Sequence, residues 1–512
     1  MTKPAMHSVP GPGAERGGAL GLLALAIGVL LPGCPLKDDY YVDEAMAQAG
    51  SDNPAGGATG ASGEASNAGT SGASAGEAGS PMSGGRGGEA GAVTSQGGTN
   101  VGGGYAGSTG GDLGSCADGT CTATCCSGQC ADLQTDPDHC GACTTVCPGG
   151  HSCASGACVT GWVDMSDPPS GFSAREQAAF VAFDNKLFIF GGLDASGQPL
   201  DTGAIYDPAT DTWELVSVGT NLPSPRALAT AVWTGARIVV FGGIDPKRNK
   251  ELADGAIYDP ATDSWSAMAP NSTGRGAAMG GATSSAAFFW GGWNAKGNAL
   301  GGADRYDLGF NSWLPATESS SDPGAVLDAA TAFTGQYLYV YGGRHSEGED
   351  PVGTAARYAL DTSSWSSVIS PGLSARYGAF GIWDSLAFLV WGGRDLSAVR
   401  NDGQYLYNNV WLAMSVEGAP SPRSASQRET GWAFARGSGD ILYIGGLDAN
   451  GNALTNGGRY DAWTPKWTAI EDWPSGQEHR WAAAAQVAGE ILIWGGRDGT
   501  AVTAKGERWL PD

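Results

Sequence analysis

An arginine recurs along the C-terminal two thirds of this chain, at Arg175, Arg226, Arg275, Arg376, Arg423 and Arg480. An acid or amide trails each one, at Asp194, Asp245, Asn294, Asp395, Asp448 and Asp498. One copy of the pattern departs from the rest. It has Asp328 in the arginine region and His345 in the acid position, within Arg344-His345-Ser346-Glu347-Gly348-Glu349-Asp350. Guanidinium groups at such spacing can do two things. They can tie neighbouring segments together through carboxylates and backbone carbonyls, or they can ring an opening and bind a ligand. In the binding reading the candidate residues are Arg226, Arg275, Arg344, His345, Arg376, Arg423 and Arg480, and the departing copy is where an asymmetric site is expected. Other chemistry is sparse. The region holds two histidines, His345 and His479, and no cysteine. The region has no Gly-x-Ser-x-Gly, no His-Glu-x-x-His and no phosphate loop, and nothing singles out a carboxylate pair for glycoside cleavage.

The elements that position these residues repeat. Seven times an apolar run ends in two glycines: Gly191-Gly192, Gly242-Gly243, Gly291-Gly292, Gly342-Gly343, Gly392-Gly393, Gly445-Gly446 and Gly495-Gly496. The spacing is about 50 residues, the mark of one supersecondary unit copied around an array. An aromatic follows each pair, at Tyr206, Tyr258, Tyr306, Tyr358, Tyr407, Tyr460 and Trp509. A tryptophan follows in the first six copies, at Trp213, Trp265, Trp313, Trp365, Trp411 and Trp467. The runs are short, β-branched and aromatic, and bounded by turn residues, so they read as strands, with helix scarce. Strands alternate in direction, so the loop holding each arginine and the loop after each glycine pair should open on one face.

The apolar strand, the glycine pair, the spaced Tyr and then Trp resemble the kelch repeat. The resemblance covers roughly residues 162–512 and implies an all-β fold, a seven-bladed propeller of four-stranded blades. It also favours arginines that lock the blades. The last copy stops after Trp509 with no fourth-strand tryptophan, and the orphan Gly161-Trp162-Val163-Asp164-Met165 ahead of the first copy reads like that missing strand. The N-terminal strand is therefore expected to close the ring and leave no large unpaired edge. The aromatics that precede the glycine pairs are expected to fill the blade interfaces.

Four segments result. Residues 1–33 read as an export signal, with Lys3 and Arg16 ahead of the apolar run Leu20–Leu31, which is too short to span a bilayer. Leu31-Pro32-Gly33-Cys34 resembles a bacterial lipobox, which implies lipidation of Cys34. Residues 34–115, rich in Gly, Ala, Ser and Thr, read as a disordered tether with a reach on the order of 45 Å. Residues 116–158 carry Cys116, Cys121, Cys125, Cys126, Cys130, Cys140, Cys143, Cys147, Cys153 and Cys158. Their spacing resembles the Stig1-like cysteine-rich module, and ten thiols behind an export signal point to disulfides. Zinc is the competing reading, because Cys140 and Cys143 have metal spacing with His139 and His151 nearby. Residues 159–512 form the propeller.

The net charge of −24 argues against nucleic acid and against electrostatic attachment to anionic lipid. The expectation is an exported, lipid-anchored surface protein of the cell envelope. Pro35 after the lipidated cysteine leans toward the outer membrane. Membrane contact is expected only through the anchor, and the protein is expected to be a monomer. Its partner is expected to be a surface protein or glycan, recognised without catalysis. No cofactor and no metal are expected. A copper site of the galactose-oxidase kind would need a crosslinking cysteine that the propeller lacks. Two rivals stand beside this reading: a glycan-processing enzyme using the propeller mouth, and a purely architectural surface protein.

Overall fold

The computed structural model describes residues 116, 121–147, 153–314, 321–425, 430–473 and 478–511. The segments expected to be an export signal and a tether, with Cys34 between them, lie outside these residues. The chain divides into two compact units whose boundary falls between Ala131 and Asp132, inside the cysteine-rich segment. In the smaller unit, Thr124–Cys126 pairs with Gln129–Ala131 as a short hairpin, and disulfides join Cys116 to Cys125 and Cys121 to Cys130. In the larger unit, disulfides join Cys140 to Cys153 and Cys147 to Cys158. Cys126 and Cys143 are disulfide-bonded as well. Disulfides, rather than zinc, therefore staple this segment, which buries little apolar surface of its own.

From Gly161 onward the larger unit is seven four-stranded antiparallel sheets. Blade one is Ala179–Phe183, Lys186–Phe190, Gly203–Asp207 and Thr212–Leu215. The second strand of each blade is the most apolar, and its residues are buried almost throughout, as in Ile238–Phe241 and Glu490–Trp494. A strand covered on both faces by neighbouring sheets needs such a run. No α-helix occurs among the described residues. The ring closes as the repeat pattern predicts: Gly161–Asp164 pairs with Gly506–Leu510, with Trp162 opposite Trp509, and supplies the fourth strand of blade seven.

The core is seven aromatic-rich clusters, one between each pair of consecutive blades. Phe190 packs in the cluster of blades one and two, Trp290 in that of three and four, Trp391 in that of five and six, and Trp494 in that of seven and one. The fourth-strand tryptophans add a polar tie. The indole N–H of Trp213 donates to the Ser166 carbonyl at 2.9 Å, Trp265 to Ser217 at 3.2 Å, and Trp467 to Ser415 at 2.7 Å. Each bond reaches back to the preceding blade, so one side chain buries apolar area and fixes the offset between sheets. The glycine pairs are required by geometry. Gly191 and Gly192 have φ of +72° and +95°, and a Cβ on them would stand 2.7 Å from the Arg226 carbonyl oxygen and 2.6 Å from that of Glu176.

Candidate functional site

The recurrent arginines lie inside the molecule. Arg226 is 0% exposed. Its Nη1 donates to the carbonyls of Gly242 at 2.9 Å and Asp254 at 3.1 Å, and its Nε to that of Ser224 at 2.8 Å. Arg175, Arg275, Arg376 and Arg423 are likewise buried and donate to Gly191, Gly291, Gly392 and Gly445. Each guanidinium thus caps the first glycine of its own blade's pair, and its partner at the start of the third strand is a short polar side chain, Asp304 within the strand and Thr202, Asp254, Asp402 or Asn456 just before it. Burial pulls Arg175 down to about 9 and Arg423 to about 10, which leaves both cationic at neutral pH. Arg226, Arg275, Arg376 and Arg423 are therefore blade locks, as the interior geometry of the ring demands, rather than groups presented to a ligand.

Two blades solve the same problem differently. In blade seven the lock position belongs to His479, whose Nδ1 lies 2.9 Å from the Gly495 carbonyl oxygen. Arg480, one residue on, is partly exposed and pairs with Glu478 at 2.7 Å. In blade four the position is Val326, fully buried. The arginine of that blade stands after the glycine pair instead. Arg344 pairs with the buried Asp328 at 3.1 Å and lies over the Tyr377 ring, 4.3 Å from its centroid. His345 is exposed, and its Nδ1 lies 2.9 Å from the Ala325 carbonyl oxygen.

Two residues beyond each lock position, the chain makes a ring that has no signature in side-chain type. The amide of Leu228 donates to the Gln177 carbonyl at 2.9 Å, Ala277 to Leu228 at 2.7 Å, Gly378 to Asp328 at 2.7 Å, Ala425 to Gly378 at 2.7 Å, and Gln177 to Trp481 at 3.1 Å. These bonds step from blade to blade just ahead of the innermost strands, across five of the seven joints around the axis. Gln177, Leu228, Ala277, Asp328 and Trp481 hold positive φ there, at 57°, 57°, 47°, 56° and 65°. Strained backbone of this kind at a bulky Leu and Trp marks a place the surrounding structure over-determines.

The side chains above this ring divide the mouth in two. Leu228, Ile244, Ala277, Trp293 and Leu327 form one apolar cluster, with the half-buried Leu193 and Trp481 against it. The other side is charged. The residue after each glycine pair is Leu193, Ile244, Trp293, Arg344, Arg394, Leu447 and Arg497 in turn, so three of seven are arginines. Arg497 forks onto Glu176 with two bonds of 2.8 Å. The acids three positions into each pair shape their own loops. Asp194 Oδ1 accepts the amides of Ser196 and Gln198, and Asp448 those of Asn450 and Asn452. Burial alone would raise Asp395, but bonds from Arg400, Ser374 and the Ser397 and Ala398 amides hold it well below the usual carboxylate range.

Against known proteins, residues 160–282 match the KLHDC2/KLHL20/DRC7 Kelch-repeats domain. The propeller is of kelch type. Residues 110–162 match the stigma-specific STIG1-like protein family. Beta-scruin of Limulus polyphemus is 24% identical over 200 residues, 37% of this chain and 21% of that protein. N-acetylneuraminate epimerase of Yersinia enterocolitica is 32% identical over 111 residues, 20% of this chain and 26% of the enzyme. The matches thus span about a fifth to a quarter of these curated relatives' own length. The solved structure of YjhT aligns with a TM-score of 0.44 at 16% identity, covering 60% of this chain and 99% of that one.

One expectation is corrected here. The sequence points to recognition without catalysis, because no catalytic constellation stands out among the propeller's residues. A relative that carries an epimerase name matches a stretch of 111 residues at 32% identity, which overturns that reading. The physical reason for the miss is that the kelch repeat marks the scaffold. Mouth residues that differ from blade to blade carry no period and form no linear motif.

Proposed function

We propose that this chain is an exported kelch propeller, anchored to the cell envelope through lipidated Cys34, which takes a glycan at the divided mouth and acts on it there. The observation that carries the reading is the mouth itself, where a sevenfold scaffold breaks its symmetry into an apolar side and a charged side. A sugar presents apolar C–H faces and a polar rim, and such a surface answers both. The acidic sugar named in the epimerase relatives supports the same substrate class. Asp328, Glu176, His345 and Tyr377 stand at or beside this mouth as groups able to move protons.

The test is the full chain in detergent, applied to a glycan array and then followed by NMR with each sugar that binds. Retained sugars whose ring-proton signals change with time support both parts. Retention without conversion removes the catalytic part, and an empty array removes the glycan.

A second reading, a protein partner, is favoured by the outer strand of blade five. Val410–Ala413 is an edge strand of its sheet. It exposes Val410 and Leu412, where the corresponding strand of blade four reads Ser-Trp-Ser-Ser. Apolar edges of this kind recruit strands. Leu412→Lys should abolish such binding and leave the array unchanged.

A further inference from the structure

We infer that Arg394 is the anion anchor of the mouth and takes the carboxylate of an acidic sugar; this rests on the mouth being the glycan site. The argument is one of charge compensation. Around the mouth, Arg248 faces Asp245 at 2.8 Å, Arg344 faces Asp328, Arg480 faces Glu478, and Arg497 faces Glu176. Among the described residues, Arg394 is the mouth arginine with no carboxylate beside it. Its Nη2 donates to the Ala449 carbonyl at 3.0 Å, in the corresponding loop of blade six. The adjacent Asp395 does not serve it, because that carboxylate faces Arg400, Ser374 and the amides of its own turn.

The position is also held still. The Arg394 amide donates to the Tyr377 carbonyl at 2.8 Å and the Tyr377 amide donates back at 3.0 Å, while the Tyr377 ring lies beneath Arg344. Asp328, Arg344, Tyr377 and Arg394 therefore form one connected patch across blades four and five. A half-exposed guanidinium, fixed through its backbone on a chain of net charge −24, presents a planar fork that matches a carboxylate. Little ordering remains to be done when the ligand arrives.

The experiment uses the full chain in detergent at physiological salt. The probes are N-acetylneuraminate and glucuronate, each with its methyl ester, titrated by calorimetry. The expected result is that at least one acid binds about tenfold or more tightly than its ester. Arg394→Ala should erase that preference without weakening the ester, and Arg394→Lys should restore part of it. Unchanged thermal unfolding shows that the variants fold. Equal binding of acid and ester, or an acid preference that survives Arg394→Ala, overturns the assignment. If the esters and neutral sugars still bind, and lose binding in Trp481→Ala, the anchor has failed while the glycan site stands. If no sugar binds at all, both fail.

Discussion

Arg226 shows what a buried arginine does when no ligand is involved. Its alanine variant leaves the buried Gly242 carbonyl without its guanidinium donor and takes one of two donors from the Asp254 carbonyl, which keeps the Gly242 amide. The expected loss is on the order of 2–4 kcal/mol in chemical denaturation, with lysine a poor substitute because it cannot fork. Trp467→Ala removes an indole that packs against Trp391 and Tyr443 and bonds to Ser415, and should cost about 3–5 kcal/mol by the same measurement. At this scale the recurrence of arginine was legible in the sequence, and its role less so. Counting by residue type put Arg480 in the seventh lock, whereas counting back from the glycine pair lands on His479. The lock stands 16 residues ahead of the glycine at Arg175, Arg226, Arg275, Arg376 and His479, and blade six stretches that separation to 22 at Arg423. Arg394 carries no sequence signature because it belongs to no repeated type: its blade-one counterpart is Leu193 and its blade-three counterpart is Trp293.

At the scale of the element, the joint between blades seven and one carries a titrating group. Glu490 opens the second strand of blade seven and is 3% exposed; burial, partly offset by Arg508, pushes it up to about 7. The folded protein therefore holds a proton that the unfolded chain releases near its ordinary glutamate value. The stability this supplies is fully present at acidic pH below that value and fades as pH rises toward 7. Melting temperature should fall between pH 5 and pH 8, and Glu490→Gln should flatten that slope; a variant as pH-dependent as the parent would refute the assignment. Gly192→Ala tests a turn in the same way. With φ at +95° and the Glu176 carbonyl so near, it should lower stability, seen as an earlier denaturation midpoint. The blade strands were legible, since glycine pairs and turn residues bracket them. The mouth hairpin Ile244–Asp245 with Lys250–Glu251 was not, because two-residue strands leave no periodicity to read.

At the scale of the whole molecule, closure is the property that the repeat pattern announced most clearly, through a strand missing at one end and orphaned at the other. A chain in which Trp162 and Val163 are both changed to proline should lose the pairing with Trp509 and Arg508. It is expected to unfold earlier and to elute as a larger species in size-exclusion chromatography, because an open blade seven offers its edge to a second copy. The same closure sets a clock. Asp167 and Lys505, which form an ion pair beside the seam, lie 338 residues apart. A ribosome adding roughly 5–20 residues per second needs on the order of 20–70 seconds to travel from one to the other. For that interval the first blades exist as an unfinished arc, however fast each sheet forms. For a chain that folds as it emerges, the exposure to misassembly is then bounded below by the pace of emergence, however low the barriers in its own folding.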